Sequence, residues 1–412
     1  MKILGKKDDA STDPAVIERF LSRGLENVFP GREAAAKMLA SGRHLRVFLG
    51  IDPTGPSLHM GHAIPLMKLA ELQAMGHEII MLIGDFTAMI GDPTDKLAAR
   101  KQLTRREVLA NCREYKKQAS KLISFSGANP AKVMWNSKWL TRMTFADVVD
   151  LASKMTVDQM LKRDMFRTRM EAGKPVFIHE FLYPLMQGYD SVAMDVDGEI
   201  GGNDQTFNML AGRDLIKELK AKDKLVFATK LLTDPTGKKM GKTEGNMITL
   251  ADSPSDMFGK VMSWSDDMIV SGYELCTRVS DAQVEAEKKF LDDGGNPRDA
   301  KLRLAVTIVE LYHGRSDAEQ ARDSFLATFS SKSSKAMPAD APEAMAERGA
   351  PLAGVVVKAG IVSSKTDFRR LVDGGSIENL KTGEKISDFR HAVTGDLDLR
   401  IGSHRFIKIR MK

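Results

Sequence analysis

Two histidines three residues apart, His59 and His62, end the stretch 46–62, RVFLGIDPTGPSLHMGH, after a turn rich in Pro, Gly, Ser and Thr. At the start of a helix, free N–H groups and the helix dipole favour an anion. Neutral imidazoles there can hydrogen-bond a phosphate. Half of a zinc site is one alternative, but zinc takes three or four ligands, and no nearby Cys or close His completes one. Incidental capping or surface histidines are the other. A second phosphate-suited stretch is Gly237-Lys-Lys-Met-Gly-Lys-Thr-Glu-Gly-Asn246, three lysines in a glycine-punctuated loop without Walker spacing; a solvated basic loop is the alternative reading.

Polar side chains of a different kind lie between these stretches. Tyr183, Gln187 and Asp190 fall at i, i+4 and i+7, one face of a helix that is otherwise apolar (Phe181, Leu182, Leu185, Met186, Val192). A buried polar stripe must be satisfied by a polar ligand or an internal network. In Gly201-Gly-Asn-Asp-Gln205 the paired glycines permit close backbone approach, and Asp204 is placed like a ribose-binding carboxylate. Asp92 precedes Pro93, which favours an extended backbone and a carboxylate pointing into a cleft; a capping or Asx-turn role is an equal alternative.

The elements that must position these groups follow from pattern. Val47 to Ile51 reads as a buried strand closed by Asp52-Pro53, and Glu78 to Ile83 as a second. Pro65 is tolerated only in a first helical turn, which predicts a helix starting near Ala63; Gly76 closes it. This β-α-β unit predicts a parallel sheet with ligands beyond the carboxyl ends of its strands. Residues 1–43 read as helical and 97–180 as a helical insertion. A strand near Val196, a helix from Thr206 to about Lys220 and a strand Leu225 to Leu232 complete residues 1–250. Residues 251–335 read as amphipathic helices, 336–348 as part of a Ser/Lys/Ala/Pro-rich linker, and 349–412 as a small module with helices Leu352–Lys358 and Lys365–Asp373 followed by strands.

Composition bounds the rest. At 412 residues, 42% hydrophobic and 28% charged, the chain reads as a globular protein of two or three domains. Its net charge is +6, yet residues 349–412 alone hold twelve Lys/Arg against seven Asp/Glu, a basic module on a nearly neutral body. That is the footprint of a nucleic-acid contact. Cys112 and Cys276 lie in no motif, as expected for a reducing compartment. Met1 to Pro14 lacks the apolar core of a signal peptide, and no run approaches 18 apolar residues (Ile79 to Ile90 is broken by Asp85). The expectation is a cytoplasmic protein with no membrane contact.

On these residues the chain resembles the class I aminoacyl-tRNA synthetases, and closely the bacterial tyrosyl branch. His59-Met-Gly-His62 matches the first class signature and Lys239-Met-Gly-Lys-Thr243 the second. Gly50-Ile-Asp-Pro-Thr54, Ile90-Gly-Asp-Pro93, Tyr183 to Asp190 and Gly201 to Gln205 match the tyrosyl branch in order and spacing. The tail resembles an RNA-binding domain shared with a ribosomal protein. The resemblance implies a fold: an α/β Rossmann-like parallel-sheet catalytic domain with a helical insertion, an α-helical anticodon-side domain and a small α+β RNA-binding domain. It implies activation of L-tyrosine by ATP with Mg²⁺, transfer of tyrosine to tRNA(Tyr), a homodimer and no protein-bound zinc.

It also implies roles. Asp190 would accept the phenol; Tyr183, Gln187 and Asp92 would hold the ammonium; Gln205 would lie near the carboxylate, with Asp52 also on the tyrosine side. Gly50, Gly202 and Asp204 would meet ATP, and Thr54, His59 and His62 its phosphates and sugar. Lys239, Lys242 and Thr243 would close over the pyrophosphate, and Lys365, Arg369 and Arg370 would contact RNA. Two departures stand out. Phe48 occupies a position where many members carry a second phenol-binding Tyr, and Asn379-Leu-Lys-Thr-Gly-Glu replaces a tighter turn. The rivals are a tryptophanyl-tRNA synthetase, which would not need Tyr183 and Asp190 so arranged, an HxxH adenylyltransferase, which would need no basic tail, and a non-catalytic RNA-binding protein, which would not need His59, His62, Lys239 and Lys242.

Overall fold

Unbroken apolar runs become the central strands, because a strand covered on both faces has no solvent side to alternate towards. Arg46–Ile51 (β2) and Glu78–Ile83 (β3) pair in parallel along their whole length. The computed structural model describes residues 10–93, 102–162, 164–234, 237, 247–329, 337–338, 341–402 and 405–412. The chain divides into two compact units, residues 1–315 and 316–412.

In the first unit Leu25–Phe29 (β1), Lys132–Trp135 (β4), Gly198–Gly202 (β5) and Leu225–Thr229 (β6) join β2 and β3 in the order β1-β6-β5-β2-β3-β4. Only β1 is antiparallel to its neighbour. From β2 the chain winds outward through β3 and β4, then returns to β2's other side with β5 and β6. The reversal lies between β2 and β5, where a doubly wound sheet opens a crevice at its carboxyl ends.

Three expectations need correction. Residues 1–43 are not all helical: β1 adds an antiparallel edge. The stretch 97–180 holds β4, which pairs with β3 and extends the sheet. Third, the helix predicted from Ala63 runs Met60–Ala74, with Pro65 inside it. Both histidines offset the cost of that proline: the His59 ring accepts from Gly61 N–H and the His62 ring from His59 N–H. Such caps contribute about 1 kcal/mol each, so the helix begins a turn earlier than proline alone would dictate. Gly76, at φ +91°, then ends the segment, as expected.

The Ile178–Met194 helix lies against the Thr206–Lys220 helix, and glycines set how closely. A Cβ on Gly188 would stand 2.7 Å from Leu215 Cδ1 and 3.2 Å from Gly212 N. Helices Pro254–Met262, Met268–Cys276, Asp281–Asp292 and Pro297–His313 follow, two of them opened by a proline behind a capping Ser253 or Asn296.

The second unit starts within the Arg315–Phe329 helix. Glu343–Ala346 (β7), inside the expected linker, is a strand, parallel to Arg405–Met411 (β10). With Ile377–Asn379 (β8) and Leu397–Ile401 (β9) they form a second sheet, ordered β7-β10-β9-β8. Leu352–Lys358 and Lys365–Asp373 are helical as predicted and pack Leu352, Val356, Phe368 and Val372 into its core.

Candidate active site

A cavity of about 330 Å³ opens where the sheet reverses, above the carboxyl ends of β2 and β5. It gathers Gly50, Asp52, Thr54, His59, His62 and Asp92 with Tyr183, Gln187, Asp190, Gly202, Asp204 and Gln205. Twelve of the residues singled out in the sequence therefore share one wall, from segments up to 155 residues apart. Lys239, Lys242 and Thr243 lie outside the described residues.

One end of the cavity is the His59 turn. The two imidazoles are 3.9 Å apart, centroid to centroid. Burial lowers the pKa of His59 to about 4; burial and the neighbouring His59 hold His62 well below its usual value. Both rings are thus neutral at pH 7. Because each Nδ1 accepts a backbone N–H (3.1 Å for His59, 3.2 Å for His62), each Nε2 carries the proton. The capping role and the phosphate-donor role coexist: one nitrogen caps, the other remains to donate.

Backbone and side chains brace this turn. Asn111 donates to Pro53 O (2.9 Å), Tyr115 to Gly55 O (2.6 Å) and Gln118 to Pro56 O (3.2 Å), while Gln118 Oε1 accepts from Leu58 N (2.6 Å). Residues 248–250, just beyond the lysine-bearing stretch, pair with it through Met60 N to Ile248 O (3.0 Å) and Leu250 N to Leu58 O (2.8 Å). Met247 and Ile248 line the cavity.

The other end is a chain of side chains. Tyr183 Oη donates to Asp52 Oδ2 (2.9 Å), and Thr87 Oγ1 donates to Asp52 Oδ1 (2.7 Å). Asn136 Nδ2 reaches Thr87 Oγ1 (3.0 Å) and Asp190 Oδ2 (3.3 Å), and Trp139 Nε1 donates to Asp190 Oδ1 (2.7 Å). Asp52 thus holds Tyr183 in place. Gly84 leaves room for this: a Cβ there would sit 2.0 Å from Asp52 Oδ1. Burial raises the pKa of Asp190 well above the carboxylate range; its bonds to Trp139 and Asn136 oppose that, and the negative Glu199 and Asp52 add to it. Asp92, buried, accepts from Gln205 Nε2 (2.7 Å), and Gln187 Nε2 donates to Glu199 Oε1 (3.1 Å).

Phe48 is fully buried beside this network. It offers no hydrogen bond, so among the described residues the groups bonded to Asp190 are Trp139 and Asn136. Sequence reading missed Thr87, Asn136, Trp139 and Glu199. The signals for them were faint: an Asn and a Trp at the end of an unrecognised strand, and one acid in an otherwise uncharged strand. In the second unit, Lys365, Arg369 and Arg370 are exposed on one helix, with the Arg369 guanidinium 5.6 Å from the Phe389 ring centre.

Known proteins are similar to this chain. A family model described as tRNA synthetases class I (W and Y) matches residues 40–330. Tyrosine–tRNA ligase 2 of Vibrio parahaemolyticus is 41% identical over 407 residues, 98% of this chain and 100% of that protein. Tyrosine–tRNA ligase of Carboxydothermus hydrogenoformans is 41% identical over 405 residues, 94% of this chain and 96% of that protein. Among solved structures, a C-terminally truncated mitochondrial tyrosyl-tRNA synthetase from Aspergillus nidulans superposes with a TM-score of 0.65 at 23% identity, over 76% of this chain and 94% of that one. A tyrosyl-tRNA synthetase from Archaeoglobus fulgidus, complexed with L-tyrosine, does so at 0.59 and 23%, over 75% and 100%. Both likenesses are of fold.

Proposed function

The chain belongs to the class I tRNA synthetases of the tryptophan and tyrosine family, as a tyrosine–tRNA ligase, and on that premise we propose which of its residues do the work. The observation that carries the assignment is the buried Asp190 carboxylate, held by two donors in the same cavity as the neutral His59–His62 pair.

Asp190 accepts the phenol hydroxyl of tyrosine. Asp92, the Tyr183 oxygen and Gln187 accept the three N–H bonds of its ammonium, and Gln205 lies by its carboxylate. Asp52 acts by holding Tyr183. Gly50, Gly202 and Asp204 receive the nucleoside, and Thr54, His59 and His62 its phosphates. ATP would arrive as its Mg²⁺ complex, the metal supplying charge neutralisation as part of the substrate.

The tyrosine carboxylate attacks the α-phosphorus and pyrophosphate leaves. No covalent enzyme nucleophile is needed, so catalysis is positioning plus donors aimed at charge developing on phosphate. The Nε2–H groups of His59 and His62 supply such donors; Lys239, Lys242 and Thr243 close over the pyrophosphate. Each donor of this kind contributes about 2.7–4 kcal/mol. The 3′-terminal ribose hydroxyl of the tRNA then attacks the adenylate carbonyl and AMP leaves. Phenylalanine would leave one accepting position of the buried Asp190 unfilled beside those that Trp139 and Asn136 occupy, a cost of about 1–3 kcal/mol.

Purified protein is expected to exchange labelled pyrophosphate into ATP with tyrosine but not with tryptophan or phenylalanine. Exchange driven by tryptophan would refute the site assignment. In the same assay Arg369→Glu/Arg370→Glu should leave exchange intact and lower tRNA charging; equal loss of both would remove the tail, which we assign as the 349–412 RNA-binding domain, from tRNA contact.

We propose residues 1–250 as the catalytic domain, with 97–180 contributing β4 to its sheet, 251–335 as a helical tRNA-side domain and 336–342, ahead of β7, as the connection. A homodimer is supported by apolar side chains exposed in 145–178: Phe145 at 84%, Ile178 at 80% and Val157 at 68%. A contiguous patch of such side chains marks an association surface. Light scattering should give twice the 45.4 kDa chain mass, and Phe145→Asp/Ile178→Asp should return it to the monomer value; a monomeric parent refutes the dimer. Among the described residues no helix is long and apolar enough to cross a membrane, and we propose a cytoplasmic enzyme.

A further inference from the structure

Glu199 and Lys224 form an ion pair taken out of water, 1% and 0% exposed. Lys224 Nζ meets Glu199 Oε2 and donates to Ser191 Oγ at 2.9 Å. Gly212 makes room for it: a Cβ there would lie 2.6 Å from Lys224 Nζ and 2.8 Å from Ser191 Oγ. Replacing such a pair by apolar residues of similar volume is often neutral or stabilising. Stability therefore gives no reason for these two charges.

Their placement gives one. Glu199 on β5 is the register partner of Phe48 on β2, and Lys224 Nζ lies 5.8 Å from the Phe48 ring centre. The pair therefore sits against the wall of the amino-acid pocket. Glu199 Oε1 accepts from Gln187 Nε2 at 3.1 Å. A carboxylate only accepts, whereas an amide has one accepting and one donating end. With Lys224 Nζ on Glu199 Oε2, Oε1 is left to accept, and Gln187 turns its NH₂ towards it. The carbonyl of Gln187 is then the atom left for the cavity that Gln187 lines. The reversed amide would set its oxygen against Glu199 and aim a donor where a cation has to bind.

We propose that Glu199, held by a Lys224 that Ser191 anchors, is a positioning residue that locks the Gln187 amide with its carbonyl turned to the ammonium group of tyrosine. The inference rests on the tyrosine-pocket assignment above.

The test uses three ligands measured by titration calorimetry: tyrosine, tyramine (ammonium, no carboxylate) and 3-(4-hydroxyphenyl)propionate (carboxylate, no ammonium). Glu199→Gln alone strands a buried lysine and can fail to fold, so the working variant is Glu199→Gln/Lys224→Met, its folding checked by melting temperature. Loss of one hydrogen bond to a charged group predicts about tenfold weaker tyrosine and tyramine binding, with 3-(4-hydroxyphenyl)propionate within about twofold. In a Gln187→Ala background the same double change should weaken tyrosine by less than about twofold, since nothing remains to orient. Equal loss for all three ligands, no loss for tyrosine, or an undiminished loss in the Gln187→Ala background would overturn the proposal. If Gln187→Ala itself left tyrosine binding unchanged, the pocket assignment would fall, and this inference with it.

Discussion

The two ends of the cavity are built in opposite ways. The proposed phosphate end is one contiguous turn, residues 52–62, whose donors are oriented by backbone hydrogen bonds and whose histidines are neutral because they are buried. The proposed amino-acid end is a relay of side chains, Tyr183–Asp52–Thr87–Asn136–Asp190–Trp139, drawn from the segments that follow three strands and from one long helix. The difference matches the ligands. A triphosphate presents repeated, symmetric oxygens that a helix start can meet with local geometry. A phenol must be told apart from a ring lacking one hydroxyl, and that needs an acceptor in a fixed place with water excluded.

The comparison breaks first, if it breaks, at the phosphate end. His62→Ala should lower the adenylate-forming rate by about 10²–10³ while the KM for tyrosine stays within about twofold. A comparable rise in that KM would mean that the two ends are one coupled unit. A smaller effect sharpens the other end. Trp139→Phe removes one donor to Asp190, and tyrosine should bind about tenfold more weakly with the KM for ATP unchanged. Its pH dependence has a definite sign. With Asp190 accepting the phenol as a carboxylate, as proposed, and burial raising its pKa, tyrosine affinity should fall as pH drops through that raised value. The Trp139 bond opposes the rise, so its loss should move the acid limb to higher pH. An unmoved limb, with affinity lost at every pH alike, would show that Trp139 only fills space.

The same contrast explains what was legible in the sequence. His59 and His62 were readable because their function depends on three-residue spacing in a local turn, and Tyr183, Gln187 and Asp190 because a helix face is a local pattern. Their partners were not. Asn136 and Trp139 reach Asp190 only because β4 pairs with β3, a pairing hidden in a stretch read as helical. Glu199 and Lys224 meet only because β5 and β6 lie side by side and Gly212 lets the ammonium through. The helix start was misplaced by three residues for a related reason: Pro65 announces its own cost locally, while the reciprocal histidine caps that offset it show only in three dimensions.

The ladder between residues 58–60 and 248–250 is made of main-chain atoms. On the 248–250 side, side-chain identity is therefore free to drift, within the limits of burial at Ile248 and Leu250. Chain length is not: one inserted or deleted residue would slip the pairing and drag the histidine turn out of alignment. The seam tolerates spelling changes and forbids frame shifts of its own kind.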